Sequence, residues 1–218
     1  MSRGWHSITL SAALSWFMKL VLVGLFPYEI YIGDYLFAFA TFVAIVLSLV
    51  PSIVERNYNI HLPFELDLLI TLAIFLHTFL GEVMRFYEKV WLWDKVLHFY
   101  GSAVIAMLAF MIVYTLHYTR KLRLTIPFIG FFTVIFAMAV GTAWELGEFA
   151  VDNLFDKTTQ RDLPDTMWDL VYDLVGGTLV AGMGMLYVRY SRPEERKRFT
   201  KPLGEVFRKK GRMRGSRV

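Results

Sequence analysis

The sequence predicts an all-α membrane protein that crosses the bilayer about six times, and three observations carry that prediction. The 218 residues are 56% hydrophobic and 17% aromatic, whereas a soluble domain of ordinary composition is about 45–50% apolar. The apolar residues gather into runs long enough for a hydrocarbon core, which takes about 20 residues of helix to cross. Short segments rich in charge, proline and glycine separate those runs and leave no length for a separate soluble domain.

Taken in order, the first run covers roughly Ile8 to Phe26 and follows Arg3, as a secretory signal would. It is long, carries Lys19 and lacks a small-x-small cleavage site, so it reads as a retained span. Pro27 and Gly33 separate it from a second span over Tyr35 to Val50, which Pro51 and Glu55–Arg56 end. The third covers Leu66 to Phe86, with Glu65 and Asp67 as entry charges and Glu88–Lys89 beyond it. Val90 to Leu116, Pro127 to Phe149 and Met167 to Val188 complete the set. They are divided at His117–Arg123 and at the polar stretch Asp152–Asp165. Residues 1–190 form the helical transmembrane domain and 191–218 a basic cytoplasmic tail, whose residues 196–218 lie outside every span and are expected to be dispensable for the membrane fold.

Charge assigns the sides. The tail from Arg192 holds eleven Lys/Arg and three Glu, a surplus of +8 against +4 for the whole chain, so residues 1–191 carry −4. The basic isoelectric point therefore belongs to the tail, whose expected partner is anionic membrane lipid and not nucleic acid. Six spans put both termini on one side, together with Arg56 and the Arg120–Lys121–Arg123 cluster. The positive-inside rule makes that side the cytoplasm, in a plasma or inner membrane. Arg85, Lys89, Lys157 and Arg161 fall on the outer side.

Ionisable groups inside the apolar runs are the clue to function. An ionised side chain at bilayer depth costs at least about 2.5–3.5 kcal/mol, so such residues are normally paired, face a bundle interior and mark a site. Asp94 and His98 lie four residues apart at the start of the fourth span; Glu145, Glu148 and Asp152 share one stripe at the end of the fifth. Asp165, Asp169 and Asp173 follow at i, i+4 and i+8 in the sixth. Counting helix rise back from each end puts His98, Glu145 and Asp173 roughly 6–12 Å below one surface. Gly101, Gly141, Gly176 and Gly177 stand beside them, and small residues let membrane helices approach closely.

Cysteine is absent, which removes disulfides, thiol nucleophiles and thiolate ligands from consideration. Carboxylates with an imidazole suit a divalent cation, such as Mg²⁺, Mn²⁺, Ca²⁺ or Zn²⁺, that activates water or clamps a phosphate. The metal set is Asp94, His98, Glu145, Glu148, Asp169 and Asp173, with all but Asp94 as catalytic candidates. Arg85 and Arg161, with Lys95, are the groups to meet an anionic substrate. Without a metal, crowded carboxylates share protons, as in a proton relay. Plainer roles stand beside these: Asp94 and Asp165 as helix N-caps, His77 as a satisfied interior histidine, and Asp152, Asp156, Asp162 and Arg161 as a solvated loop. Trp91, Trp93, Trp144 and Trp168 fit an interfacial aromatic belt. Glu145 and Asp173 are the deepest; Arg85 is the candidate partner if they are salt-bridged.

The series DKVLHF, WELGEF and DTMWDLVYDLVGG resembles the family of small multi-pass membrane proteins that includes the bacterial inner-membrane protein YjdF. It is more loosely similar to the VanZ-like proteins, which share the order D-x-x-x-H-F, paired Glu, then D-x-x-x-D-x-x-G. The similarity covers roughly residues 65–185. It implies a site at these residues and, through the VanZ-like proteins, a connection with the cell envelope; it implies no reaction. The resulting expectation is an outward-facing acidic/His pocket that binds a divalent cation and acts on a lipid or lipid-linked envelope substrate, by metal-assisted hydrolysis or phosphoryl-type transfer. A proton- or cation-coupled transporter and a non-catalytic scaffold are the alternatives, and homo-oligomerisation is compatible with each.

Overall fold

A computed structural model describes residues 9–58, 60, 62 and 65–215, with the backbone alone for 208–215. Arg3, Ile8 and the side chains of the last basic residues of the tail lie outside the described residues. Every regular element described is helical, and six helices are long and apolar enough to cross a membrane. The chain packs as two compact units, Met1–Lys89 and Val90–Val218.

The first unit opens with α1 (Leu10–Tyr31) and α2 (Tyr35–Tyr58), joined through Gly33 at φ 81°, a conformation that suits glycine. The proline breaks predicted at Pro27 and Pro51 do not occur: both lie inside helices that run on to Tyr31 and Tyr58. A proline removes one N–H, and a membrane helix tolerates that because apolar surroundings leave the backbone no better partner than the rest of the helix. Helix α3 (Leu66–Phe75) widens into a π segment (Leu76–Val83), followed by the short α4 (Phe86–Lys89). The Tyr87 ring lies against Gly81, where a Cβ would collide with it. Its hydroxyl meets His77 Nδ1 at 2.5 Å, which makes His77 the satisfied interior histidine of the plainer reading.

Polar side chains tie the three long helices of this unit together. Lys19, 2% exposed, donates to both oxygens of Asp67 at 2.7 and 2.8 Å and to Ser52 Oγ at 2.7 Å. Ser15 and Ser52 also donate to Asp67, at 2.5 and 2.7 Å. Asp67 is therefore no ordinary entry charge: it accepts from α1 and α2, and such a buried pair is tolerable because its remaining lone pairs are satisfied. Glu29, also buried, accepts from Thr41 Oγ1 at 2.8 Å across the α1–α2 hairpin.

The second unit consists of α5 (Trp93–Tyr118), α6 (Ile126–Phe155), α7 (Leu163–Tyr190) and α8 (Pro193–Gly215). Helix α5 is central: half of its most apolar stretch is buried, against 28% for α6 and for α7. Helix α6 turns Ile129, Thr133, Ala137, Gly141 and Glu145 inward at four-residue spacing, and α7 answers with Asp169, Asp173, Gly176, Gly177 and Ala181. These small residues permit the close approach. A Cβ on Gly176 would sit 2.5 Å from Phe99 O, and one on Gly177 would sit 3.2 Å from Ala137 Cβ. Trp91 and Trp168 are exposed, as side chains of an interfacial belt are.

Two expectations fail in this unit. Asp165 is not the cap of α7: Asp162 is, accepting from Asp165 N at 2.9 Å, because Pro164 is accommodated inside the first turn. Asp94 is not a cap either, since α5 starts after Leu92 with no side-chain cap. The tail lies outside every span, and part of it packs on the bundle. Phe199, Thr200 and Leu203 of α8 are buried, with the Phe199 ring 6.1 Å from that of Tyr114 and 5.5 Å from that of Tyr187.

Candidate functional site

The predicted acids and histidine converge at the α5 N-terminal end of the second unit. His98 stands at their centre. Its Nδ1 is 3.3 Å from each Asp173 oxygen, and its Nε2 is 3.3 Å from Glu145 Oε1, 3.8 Å from Asp94 Oδ1 and 4.0 Å from Asp169 Oδ1. Helix spacing accounts for the set: Asp94 and His98 are one turn apart on α5, Asp169 and Asp173 one turn apart on α7, and Glu145 ends the buried stripe of α6. Ser102, one further turn along α5, donates to Asp173 Oδ1. Gly141 makes room for that carboxylate, because a Cβ there would run into it.

Lys95 is the cation of the cluster. Its Nζ donates to Asp165, lies 3.1 Å from Asp169 Oδ1 and is 3.4 Å from Asp94 Oδ2. Arg161 approaches Asp165 from the rim at 3.6 Å and is 44% exposed on its side chain. With His98 neutral and every acid ionised, five carboxylates face these two cations, and the cluster is three charges short of neutrality.

Glu145 Oε1 and Asp169 Oδ1 are buried without a hydrogen-bond partner, on residues only 5% and 3% exposed. Leaving a buried acceptor unmatched costs about 1–3 kcal/mol, and more when it is charged. Both oxygens face His98 Nε2. A neutral imidazole has a single N–H and cannot donate at Nδ1 to Asp173 and at Nε2 to these oxygens together, whereas a protonated ring donates on both sides and would serve Glu145 Oε1 but not Asp169 Oδ1 at 4.0 Å. A cation between Nε2 and the carboxylates would satisfy all of them. The donor atoms of Asp94, His98 and Asp169 lie within 4.8 Å of one another. Ligands of a tetrahedral zinc stand roughly 3.3–3.6 Å apart, and those of larger ions farther. The residues present therefore fit a divalent ion bound through oxygen and nitrogen.

Three other residues have contacts of their own, and of these Glu148 lies within electrostatic reach of Glu145, Asp94 and His98. Glu148 is half-buried and accepts from Trp144 Nε1 at 2.9 Å, one turn back on its own helix. Arg85 belongs to the first unit, is exposed, and pairs with Glu88 at 2.6 Å. Asp152 does more than solvate a loop. It accepts from Thr159 N and Oγ1, both at 2.7 Å, and from Gln160 N at 2.9 Å, pinning the α6–α7 connection. That connection delivers a residue the sequence did not disclose: Gln160 Nε2 donates to Glu145 Oε2 and to its backbone oxygen, both at 3.0 Å. Ser102 had a legible signal, four residues from His98 on an apolar helix; a glutamine in a connecting loop had none.

A protein of Thermotoga maritima described as uncharacterized is 37% identical to this chain over 129 residues. The match covers 58% of this chain and 65% of that protein, so the chain spans less than two thirds of its relative's length. No solved structure matches the chain. Residues 13–190, from α1 to the last residue of α7, match the family described as "Predicted membrane protein (DUF2238)", and the chain belongs to that family.

Proposed function

We propose that the second unit is a membrane-embedded divalent-cation centre acting on a lipid or lipid-linked envelope substrate. Asp94, His98 through Nε2, Glu145 and Asp169 would hold the ion. When bound, the ion supplies Lewis-acid activation of water or clamping of a phosphoryl oxygen. The observation that carries this reading is the pair of buried carboxylate oxygens without a hydrogen bond, Glu145 Oε1 and Asp169 Oδ1, which face His98 Nε2, with the Lys95 ammonium beside Asp169 Oδ1 as the one ion pair they have. Asp173 takes the role of orienting residue: held by Ser102, it accepts from His98 Nδ1 and aims the opposite nitrogen at the acids, as outer partners of metal-bound histidines do. Lys95 limits repulsion among Asp94, Asp165 and Asp169, and Arg161 at the rim is the group to meet an anionic headgroup. The basic loops favour an outward-facing centre in the plasma or inner membrane, with the termini in the cytoplasm. The YjdF-like resemblance is compatible with the family and adds no reaction.

A second reading rests on one feature, the carboxylate–imidazole–carboxylate row Asp173–His98–Glu145, spaced 3.3 Å on each side of the ring. That is the arrangement of a proton relay in a transporter. Metal analysis of purified protein separates the two. The metal reading expects about one tightly held Mn²⁺ or Zn²⁺ per chain, lost in Asp169→Asn and Glu145→Gln. It also expects a rise in melting temperature on adding the ion, through selective binding to the folded state. Metal-free protein whose melting temperature ignores both ions and chelators would leave the relay.

A further inference from the structure

At the opposite end of α5, the chain turns from Thr119 through Thr125 into α6, and this turn is basic where the first site is acidic. It encloses an open cleft of about 580 Å³ lined by His117, Tyr118, Arg120, Arg123 and Thr125 with two leucines, and none of the lining residues is acidic. Arg120 and Arg123 are both exposed. Arg120 is held at φ 59°, a left-handed conformation that a non-glycine residue adopts only at some cost, so the turn is fixed in a shape its arginine does not favour. Leu124 N donates to His117 Nδ1 at 3.2 Å. With Nδ1 accepting, the ring carries its N–H on Nε2.

Helix α8 backs this turn. A Cβ on Gly204 would lie 3.5 Å from Thr119 Cγ2. Lys121 Nζ reaches Phe207 O at 3.3 Å and lies 5.2 Å from the Phe207 ring centroid. Leu122 is 44% exposed between Lys121 and Arg123, and Tyr190, the last residue of α7, is 73% exposed. Apolar and aromatic side chains interleaved with arginines where membrane-spanning helices end belong at the headgroup level, where each basic residue gains about 1 kcal/mol from an anionic leaflet.

We infer that the cleft formed by His117, Arg120 and Arg123 binds the phosphate of an anionic phospholipid headgroup, at a site separate from the acidic cluster. The full-length protein in a neutral detergent provides the test, with its melting temperature followed as short-chain phosphatidylglycerol, short-chain phosphatidylcholine or inorganic phosphate is added. Phosphatidylglycerol should raise the midpoint by about 3 °C or more at saturation, and the other two should not. The gain should vanish in Arg120→Gly/Arg123→Gln, where glycine suits the left-handed backbone; in Arg123→Gln alone, which leaves the turn residue untouched, it should fall by about half. An equal rise with phosphatidylcholine, which carries the same phosphodiester but no net charge, would overturn the assignment to an anionic headgroup. A rise with inorganic phosphate alone would make free phosphate the ligand and overturn the lipid assignment. A gain that survives the double substitution would place the lipid elsewhere. Metal content should be the same in all variants, so this result and that of the metal analysis stand independently.

Discussion

Gly141 shows how far one hydrogen atom decides the acidic cluster. The Asp173 carboxylate occupies the space a Cβ would fill, while the same group accepts from His98 and Ser102. Gly141→Ala should therefore cost about 1–3 kcal/mol through overpacking. By displacing the partner of His98 it should also weaken metal binding about 10–100-fold. Thermal unfolding and Mn²⁺ titration would measure both. Gly182→Ala on α7, where nothing lies within 4 Å of the added carbon, should leave metal binding unchanged and raise stability by about 0.5–1 kcal/mol. Caps give a second test: Asp162→Ala should lose about 0.5–2 kcal/mol with metal binding intact. Asp165→Asn should keep the cap and loosen Lys95. The sequence revealed the acids because charges in apolar runs are rare and spaced by helical turns. It did not reveal which aspartate caps α7, since that depends on whether the helix begins before or after Pro164, and both starts are sterically allowed. Lys95 was visible, yet read as a contact for a phosphate, because one sequence position cannot tell an ammonium turned inward to three acids from one turned outward.

Among the elements, α8 departs most from expectation. Its charge suggested a solvated tail, but Phe199, Thr200 and Leu203 form a buried patch within it. Such a patch is hard to detect in a segment whose average is polar, because three side chains at helical spacing barely alter the composition. Removing residues 192–218 should uncover Tyr114, which is only 2% exposed in the intact chain, and lower the melting temperature. Phe199→Ala alone should cost about 3 kcal/mol. Unchanged unfolding curves for both would return α8 to the status of a dispensable tail. The proline breaks failed for a related reason. Proline preferences are learned where water offers the backbone an alternative partner, and α1 and α2 have apolar surroundings instead.

For the whole molecule, the number and order of spans were legible because hydrocarbon thickness sets a length that no soluble fold imposes. The division into Met1–Lys89 and Val90–Val218 was not legible, since apolar runs look alike whichever neighbours they pack against. Orientation follows from charge: a reporter fused at the C-terminus should be cytoplasmic, and one inserted at Lys157 should be external. Finding both reporters on one side would remove the basis for an outward-facing centre.

The hook that Gln160 places on Glu145 joins the fastest-moving kind of segment to the slowest. A connecting loop opens on its own timescale, whereas a carboxylate buried between helices does not. Asp152 holds the amides of Thr159 and Gln160, and Gln160 holds Glu145, so opening of the loop releases one side of the acidic cluster. The exchange rate of those two amides is then a clock for access to the site. A ligand that recruits Glu145 away from Gln160 should speed exchange at both positions, with the helix interiors unaltered. Glu145→Gln, measured on metal-free protein, weakens the side-chain half of the hook and keeps the bond to the Glu145 backbone oxygen, so it should speed the same two rates less than a ligand does.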